Sequence, residues 1–335
     1  MTLPERFPLA RHPIGPAPLR RPGSVRRTST IDTTWPDGYG QPMLMQGHAR
    51  DLLTPADGSA AVVLAEDRFT ILASPTREIL SVAVVPDRPQ VQQLVGVRAG
   101  GQSRNTLAAV MAEERLAGTP LYLLLDDFAG ASLVAAWVWS RWNDDWVAQM
   151  QKSGARSTAG RGGNMEGVCI GFSPGSSALS ASGGPREQNF APVPSLLNAA
   201  DPDGWHKLAV QTGVGMRRAR RIDVWRDGGG LAIDVGFQDS GTAPDGGERI
   251  AIHEYHAVAR GVGDVLADLE IEARILPFAE CPGAVRHAQM MLGTPLRELR
   301  ARVLETLPGT LGCTHLNDVL RSMAEVPLLG ARLSK

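Results

Sequence analysis

Four residues with chemical capacity stand in succession within residues 250–259: His253, Glu254, Tyr255 and His256, flanked by isoleucine, valine and alanine. Residues 265–276 follow across Gly261-Val262-Gly263 and alternate with period two, so the two stretches read as a hairpin. Val265, Ala267, Leu269, Ile271, Ala273 and Ile275 form one face of the second strand. The apolar faces of the two strands must coincide, because a slip of one residue turns every side chain over. A two-residue loop at Val262-Gly263 meets that condition. It sets His256 opposite Leu269 and Glu254 opposite Ile271 on the core side, with His253 and Tyr255 opposite Glu272 and Glu270 on the wet side. Ionisable groups on a core face cost several kcal/mol unless they are paired or line a cavity. Glu254 and His256 are therefore either a buried staple or a general acid/base pair facing a pocket, the carboxylate setting the imidazole tautomer. Tyr255 lies within reach as a further proton donor.

Other residues offer other chemistry. Cys313 precedes a helix that opens with His315, and a helix N-terminus beside an imidazole favours a thiolate. The plainer role for such a cysteine is a small core residue. Cys281, Cys313 and His315, with His253 or His256, have the donor types of a zinc site, although no CxxC or HExxH spacing supports one. His206 follows Trp205 in a polar turn beyond a Gly-rich loop, where it either meets a ligand or is solvated. Asp126 and Asp127 are either paired carboxylates or a helix start. Trp139, Trp142 and Trp146 form a helical stripe that suits a core or the floor of a pocket for a flat apolar ligand. No phosphate loop is present, so no nucleotide cofactor is expected. The cluster 217–221, with Arg217, Arg218, Arg220 and Arg221, reads as a solvated strand end.

The elements that must position these residues are β-rich. Strand patterns occupy 61–64, 69–72, 79–85 and 91–97, then a helix at 103–116, a short apolar run at 121–125 and a second helix at 132–146. Residues 221–226 and 231–237 make a hairpin around Asp227-Gly228-Gly229-Gly230, and two helices close the chain at 295–307 and 315–325. Hairpins with helices before and after them give an α+β fold, a mainly antiparallel sheet with helices packed on it. No internal repeat is evident. Residues 1–27 are Pro- and Arg-rich and are expected as a flexible arm or one laid over a neighbouring surface, with 28–335 as a single domain. Residues 154–204 make a long Gly/Ser/Pro-rich loop of the kind that closes over ligands.

The chain has 34 basic and 35 acidic residues among 335, for a net charge of -1. That balance argues against a basic face for nucleic acid, and no apolar run is expected to reach the ~18 residues of a membrane span. Three cysteines and no secretory leader fit a cytoplasmic protein. A homo-oligomer is compatible with all of this.

Two segments in the right order, Leu124-Leu125-Asp126-Asp127 with Gly130-Ala131-Ser132-Leu133-Val134, and Gly312-Cys313-Thr314-His315-Leu316 preceded by Pro277 and Cys281, resemble a bacterial family catalogued as domain of unknown function 2889. The similarity runs from about Arg26 onward. It implies a shared domain and marks Asp126, Asp127, Cys281, Cys313 and His315 as signature residues without roles. The expected function is a cofactor-independent acid/base enzyme of lyase or decarboxylase type, acting on a small, apolar, aromatic molecule in catabolism. The alternatives are a non-catalytic ligand-binding or assembly protein and a metal-dependent hydrolase built on the Cys/His set.

Overall fold

The computed structural model describes residues 3–142, 165–180 and 188–333. The strands are β1 (Ser24–Thr34), β2 (Met43–Thr54), β3 (Val62–Ala73), β4 (Ile79–Val85), β5 (Ala191–Pro192), β6 (Gly215–Asp227), β7 (Gly230–Thr242), β8 (Arg249–Val262) and β9 (Val265–Ile275). All pairings are antiparallel in one sheet ordered β4-β3-β2-β1-β6-β7-β8, with β9 and the short β5 sharing the outer edge of β8. The helices used below are α1 (Gly101–Val110), α2 (Ala112–Ala117), α3 (Pro120–Ala135), α4 (Trp137–Trp142), α5 (Ala284–Ala288), α6 (Leu299–Thr306), α7 (Thr314–Ser322) and α8 (Val326–Gly330). The expected α+β fold is what forms.

Helix α3 starts where Thr119 accepts a hydrogen bond from the Tyr122 amide and Pro120 takes the first turn, where a missing N–H costs nothing. It is apolar all round and buried almost throughout, so Asp126 and Asp127 lie inside a helix instead of starting one. Together with α4 the span Pro120–Trp142 is apolar and long enough to cross a membrane by length and composition, contrary to expectation. Of that window 83% is buried inside the protein, which is how the core helix of a globular fold also behaves.

The central pair of strands shows a repeat that the first reading of the sequence does not. Arg26-Arg27-Thr28-Ser29-Thr30-Ile31-Asp32 in β1 aligns without gaps on Arg217-Arg218-Ala219-Arg220-Arg221-Ile222-Asp223 in β6. At the same numerical offset, Gly118-Thr119 and Leu125-Asp126-Asp127 align on Gly309-Thr310 and Leu316-Asn317-Asp318. Gly118 and Gly309 both sit in the left-handed region, at φ 60° and 53°. The ion pairs obey the same relation. Arg26 Nε reaches Asp223 at 2.6 Å and Arg217 Nε reaches Asp32 at 2.6 Å across the β1/β6 junction. Arg27 is bidentate to Asp51 on β2, and Arg218 is bidentate to Asp239 on β7. The chain is therefore two similar halves, each a four-stranded meander followed by helices, joined about a pseudo-twofold axis between β1 and β6.

Three expectations fail here. Ser24–Arg27 belong to β1 and not to an arm, and the rest of the arm lies on the chain's own sheet. Its Phe7 amide bonds the Ala279 carbonyl (2.8 Å) and its Ala17 amide bonds the Leu196 carbonyl (3.1 Å). The Arg217–Arg221 cluster is fully buried, because β6 is a central strand and each arginine has a carboxylate or carbonyl to meet. The hairpin register also differs. The turn is at Gly263-Asp264, with Val262 opposite Val265, and a bulge beside Arg260/Gly261 shifts the ladder, so that His256 faces Glu272 and Tyr255 faces Ala273. Tyr255, Ala257 and Ala259 thereby become the core face, and Tyr255 is completely buried.

Candidate functional site

Asp239 on β7 stands directly opposite Arg218 on β6 and His253 on β8, so the three side chains share one face of the sheet. Helix α7 crosses that face, and its first turn brings His315 onto His253. The two imidazole rings stack with centroids 3.4 Å apart and planes 16° apart. His315 Nε2 lies 3.5 Å and His253 Nδ1 3.9 Å from Asp239 Oδ2. Asp239 is wholly buried, and each histidine is only 7% exposed. Neither of those two ring nitrogens has a hydrogen-bond partner among the described residues. Burial drives the pKa of both imidazoles well below 6.5. The neighbouring ring and Arg218 add to the effect on His253, and Arg218 to that on His315. Both rings are neutral at physiological pH.

These rings form part of the wall of a cleft of about 680 Å³, whose other walls are mostly apolar: Leu133, Val134, Trp137, Phe172 and Phe278. That figure includes the open solvent at its mouth; the enclosed space is about 150 Å³, a size of cavity that can hold a single benzene ring. Trp137 Nε1 and Gln188 Oε1 also line it, and both are buried without a partner. Buried polar atoms are normally satisfied, so four unsatisfied ones around a single cleft are unusual. Met165, Val168, Phe172 and Gln188 come from the long loop, so its described parts do reach this cleft, while residues 154–164 and 181–187 lie outside the described set. Trp146 also lies outside it; Trp139 packs on Trp35 and Tyr39, away from the cleft.

All three cysteines reach the cleft wall. Gly171 separates two of them so closely that an added Cβ would lie 2.7 Å from Cys281 Sγ. The thiolate reading of Cys313 does not hold. Burial raises its pKa more than the Tyr255 hydroxyl and the amides of His315 and Leu316 lower it. Burial likewise pushes Cys169 up to about 12 and Cys281 well above the usual thiol range. Cys313 Sγ lies 3.8 Å from His315 Nδ1, the ring nitrogen turned away from Asp239. Cys281, Cys313 and His315 do not converge as metal ligands; among the described residues the group that does is Asp239, His253 and His315.

The other candidates are placed elsewhere. Glu254 does not meet His256. It is buried under the arm, accepting from the Ile14 amide at 2.7 Å and Gln238 Nε2 at 2.6 Å, and burial raises its pKa. His256 shares that face of the sheet but lies nearer its partly exposed end, 3.0 Å from Asp234 Oδ2; that hydrogen bond raises its pKa. His206 is not in a solvated turn: it is buried between the hydroxyls of Thr28 (2.9 Å) and Thr30 (2.8 Å), and burial lowers its pKa well below 6.5. Asp127 is bound by Arg220 and lies 3.7 Å from Arg218, within a buried ion network that also holds Asp318. Asp126 is bound by Arg321 and Arg300, which outweigh burial and hold its carboxyl below the usual range. Tyr255 is core, its hydroxyl beside the Cys313 thiol and its pKa raised well above 10 by burial. Asp239 has no sequence signal of its own: at the offset that relates the two halves it falls on His48, and only its pairing with Arg218 marks it.

The class defined by these features is a duplicated antiparallel α+β protein with a buried His/His/Asp cluster in its second half. Residues 216–328, from β6 into α8, match the family described as Protein of unknown function (DUF2889), in agreement with the resemblance carried by Cys281 and Gly312–Leu316. The Leu124–Val134 segment lies outside the matched span. No curated protein and no solved structure matches the chain.

Proposed function

We propose that the cleft is the active site of an enzyme that moves a proton on a small, largely apolar molecule, a reaction of lyase or decarboxylase type, with His253 and His315 as the reacting groups. The observation that carries the reading is a pair of neutral, unpartnered imidazoles on a buried carboxylate, opening into an apolar cleft. A neutral imidazole inside a dry site can take up or relay a proton at a bound molecule.

A purely structural role is disfavoured by the first half of the chain. There the same buried pair, Arg27 with Asp51, forms without any histidine: Ala65 occupies the cross-strand position of His253, and Leu124 aligns with His315. The buried Arg/Asp pair therefore forms without imidazoles beside it, which favours a role for them beyond the fold. Trp137, Phe172 and Phe278 give the cleft the flat apolar walls that suit an aromatic or similarly sized ligand.

The test is a screen of aromatic and short branched carboxylic acids for carbon dioxide release or elimination, run with the wild type and the variant His253→Ala/His315→Leu. Turnover that falls by about 10²-fold or more in the variant supports the reading. Turnover that survives it refutes the assignment of these residues.

A further inference from the structure

We propose that Asp239, His253 and His315 coordinate a single divalent transition-metal ion at the inner end of the cleft. The inference rests on the cleft being the active site but changes the part the two rings play there: with an ion bound, His253 and His315 hold it as ligands and the ion's open positions face the substrate.

The donor atoms, Asp239 Oδ2, His253 Nδ1 and His315 Nε2, lie within 4.8 Å of one another, and all three residues are buried. The two ring nitrogens have no other partner. Two imidazoles and one carboxylate are a borderline donor set that suits zinc, iron, cobalt or nickel, and not magnesium or calcium, which take oxygen ligands. Three protein ligands leave coordination positions free for water or substrate, and the cleft is where those positions open.

The surroundings are those of a supported ligand. Arg218 grips Asp239 through Nε to Oδ1 and Nη2 to Oδ2, both at 2.9 Å, using one lone pair of each oxygen. The second lone pair of Oδ2 remains. Arg218 is itself fixed by Asp318 at 2.8 Å, so the carboxylate cannot rotate freely. Outer contacts of this kind orient metal-binding carboxylates. Cys313 is excluded from the set because it lies beside the other nitrogen of His315. In the stacked geometry the two ring nitrogens run side by side, so binding an ion requires the rings to splay about their side-chain torsions. In the first half Asp51 is held by Arg27 in the same way, yet Ala65 and Leu124 offer no donors, so that half supplies a built-in negative site.

The experiment uses the full chain, stripped with a chelator and titrated with Co²⁺ alone. The expected result is saturation at one equivalent with visible d–d absorption. His253→Ala and His315→Leu should each weaken binding at least about 100-fold, beyond the usual 10–100-fold cost of losing an outer contact. Cys313→Ser should leave it unchanged. Since either histidine variant could fold poorly, Zn²⁺ is also titrated into wild-type protein with isotope-labelled histidine, where the His253 and His315 resonances should shift together. No saturable uptake of Co²⁺ or Zn²⁺, or uptake undiminished in a folded double variant, overturns the proposal. A naphthalene fluorophore titrated into the metal-free protein separates the two readings: binding that Phe172→Ala weakens, without any metal uptake, leaves the cleft standing and removes the ion alone.

Discussion

His253 and His315 lie face to face, 3.4 Å between ring centroids, with no hydrogen bond to either of the nitrogens turned toward Asp239. Two imidazolium ions could not share that geometry beside Arg218. The arrangement requires that the two rings are not charged together, and burial keeps both pKa values well below 6.5.

A pH dependence of stability follows. His206, His253 and His315 all have folded pKa values well below 6.5. Below pH 6.5 the unfolded chain takes up protons at these sites and the folded chain does not. Their stabilisation is therefore complete above about pH 6.5 and falls as the pH drops, by about 1.4 kcal/mol per group per pH unit. His256, whose folded pKa is raised, acts in the opposite sense, contributing fully below 6.5 and losing its contribution as the pH rises through its folded value. Denaturant titrations at pH 7.5, 6.5 and 5.5 should show His253→Ala/His315→Leu losing less stability than the wild type over the lower interval. Identical losses would mean that these rings are not buried and neutral.

The buried arginines should behave as a matched pair. Arg218→Leu leaves Asp239 and Asp318 without their shared cation, and Arg27→Leu does the same to Asp51 and Glu325. Each should cost about 3–5 kcal/mol, the usual penalty for breaking a buried ion pair from one side. Equilibrium unfolding reads this directly, and a loss under about 1 kcal/mol for either would contradict the packing described.

How much of this was legible beforehand depends on strand register. The α+β class, the second-half hairpins and the Cys313/His315 segment could be read because period-two alternation and capping residues are local signals. The register of β8 against β9 could not, since one bulge beside Arg260/Gly261 inverted the faces and moved Tyr255 from water to core. β1 is not legible because most of its residues are arginine, serine, threonine and aspartate, which read as loop until their partners are known. His253 was visible as a candidate but assigned to the wrong side, and Asp239 acquires meaning only beside Arg218.

His256→Gln now has a modest expected effect. It loses one partly exposed hydrogen bond to Asp234, worth about 1 kcal/mol, and leaves Glu254 untouched. A melting experiment showing a loss several times larger would revive the buried Glu254/His256 staple.

The cysteines provide a chemical probe of the cleft. Cys281 and Cys313 are buried and Cys169 is partly exposed, and all three thiols are raised in pKa by burial. At pH 8 a disulfide reagent should react slowly, with Cys169 first, as peptide mapping would show. Rapid stoichiometric reaction of Cys313 would point instead to an activated thiolate.

The central claim is that small molecules bind against His253 and His315. It is tested most directly by histidine-labelled nuclear magnetic resonance during a screen of small aromatic acids, with resonances assigned from single variants. The expected result is saturable shifts of His253 and His315 for the fragments that bind, while His206 and His256 stay in place. Fragments that bind elsewhere and leave both His253 and His315 unmoved would contradict it.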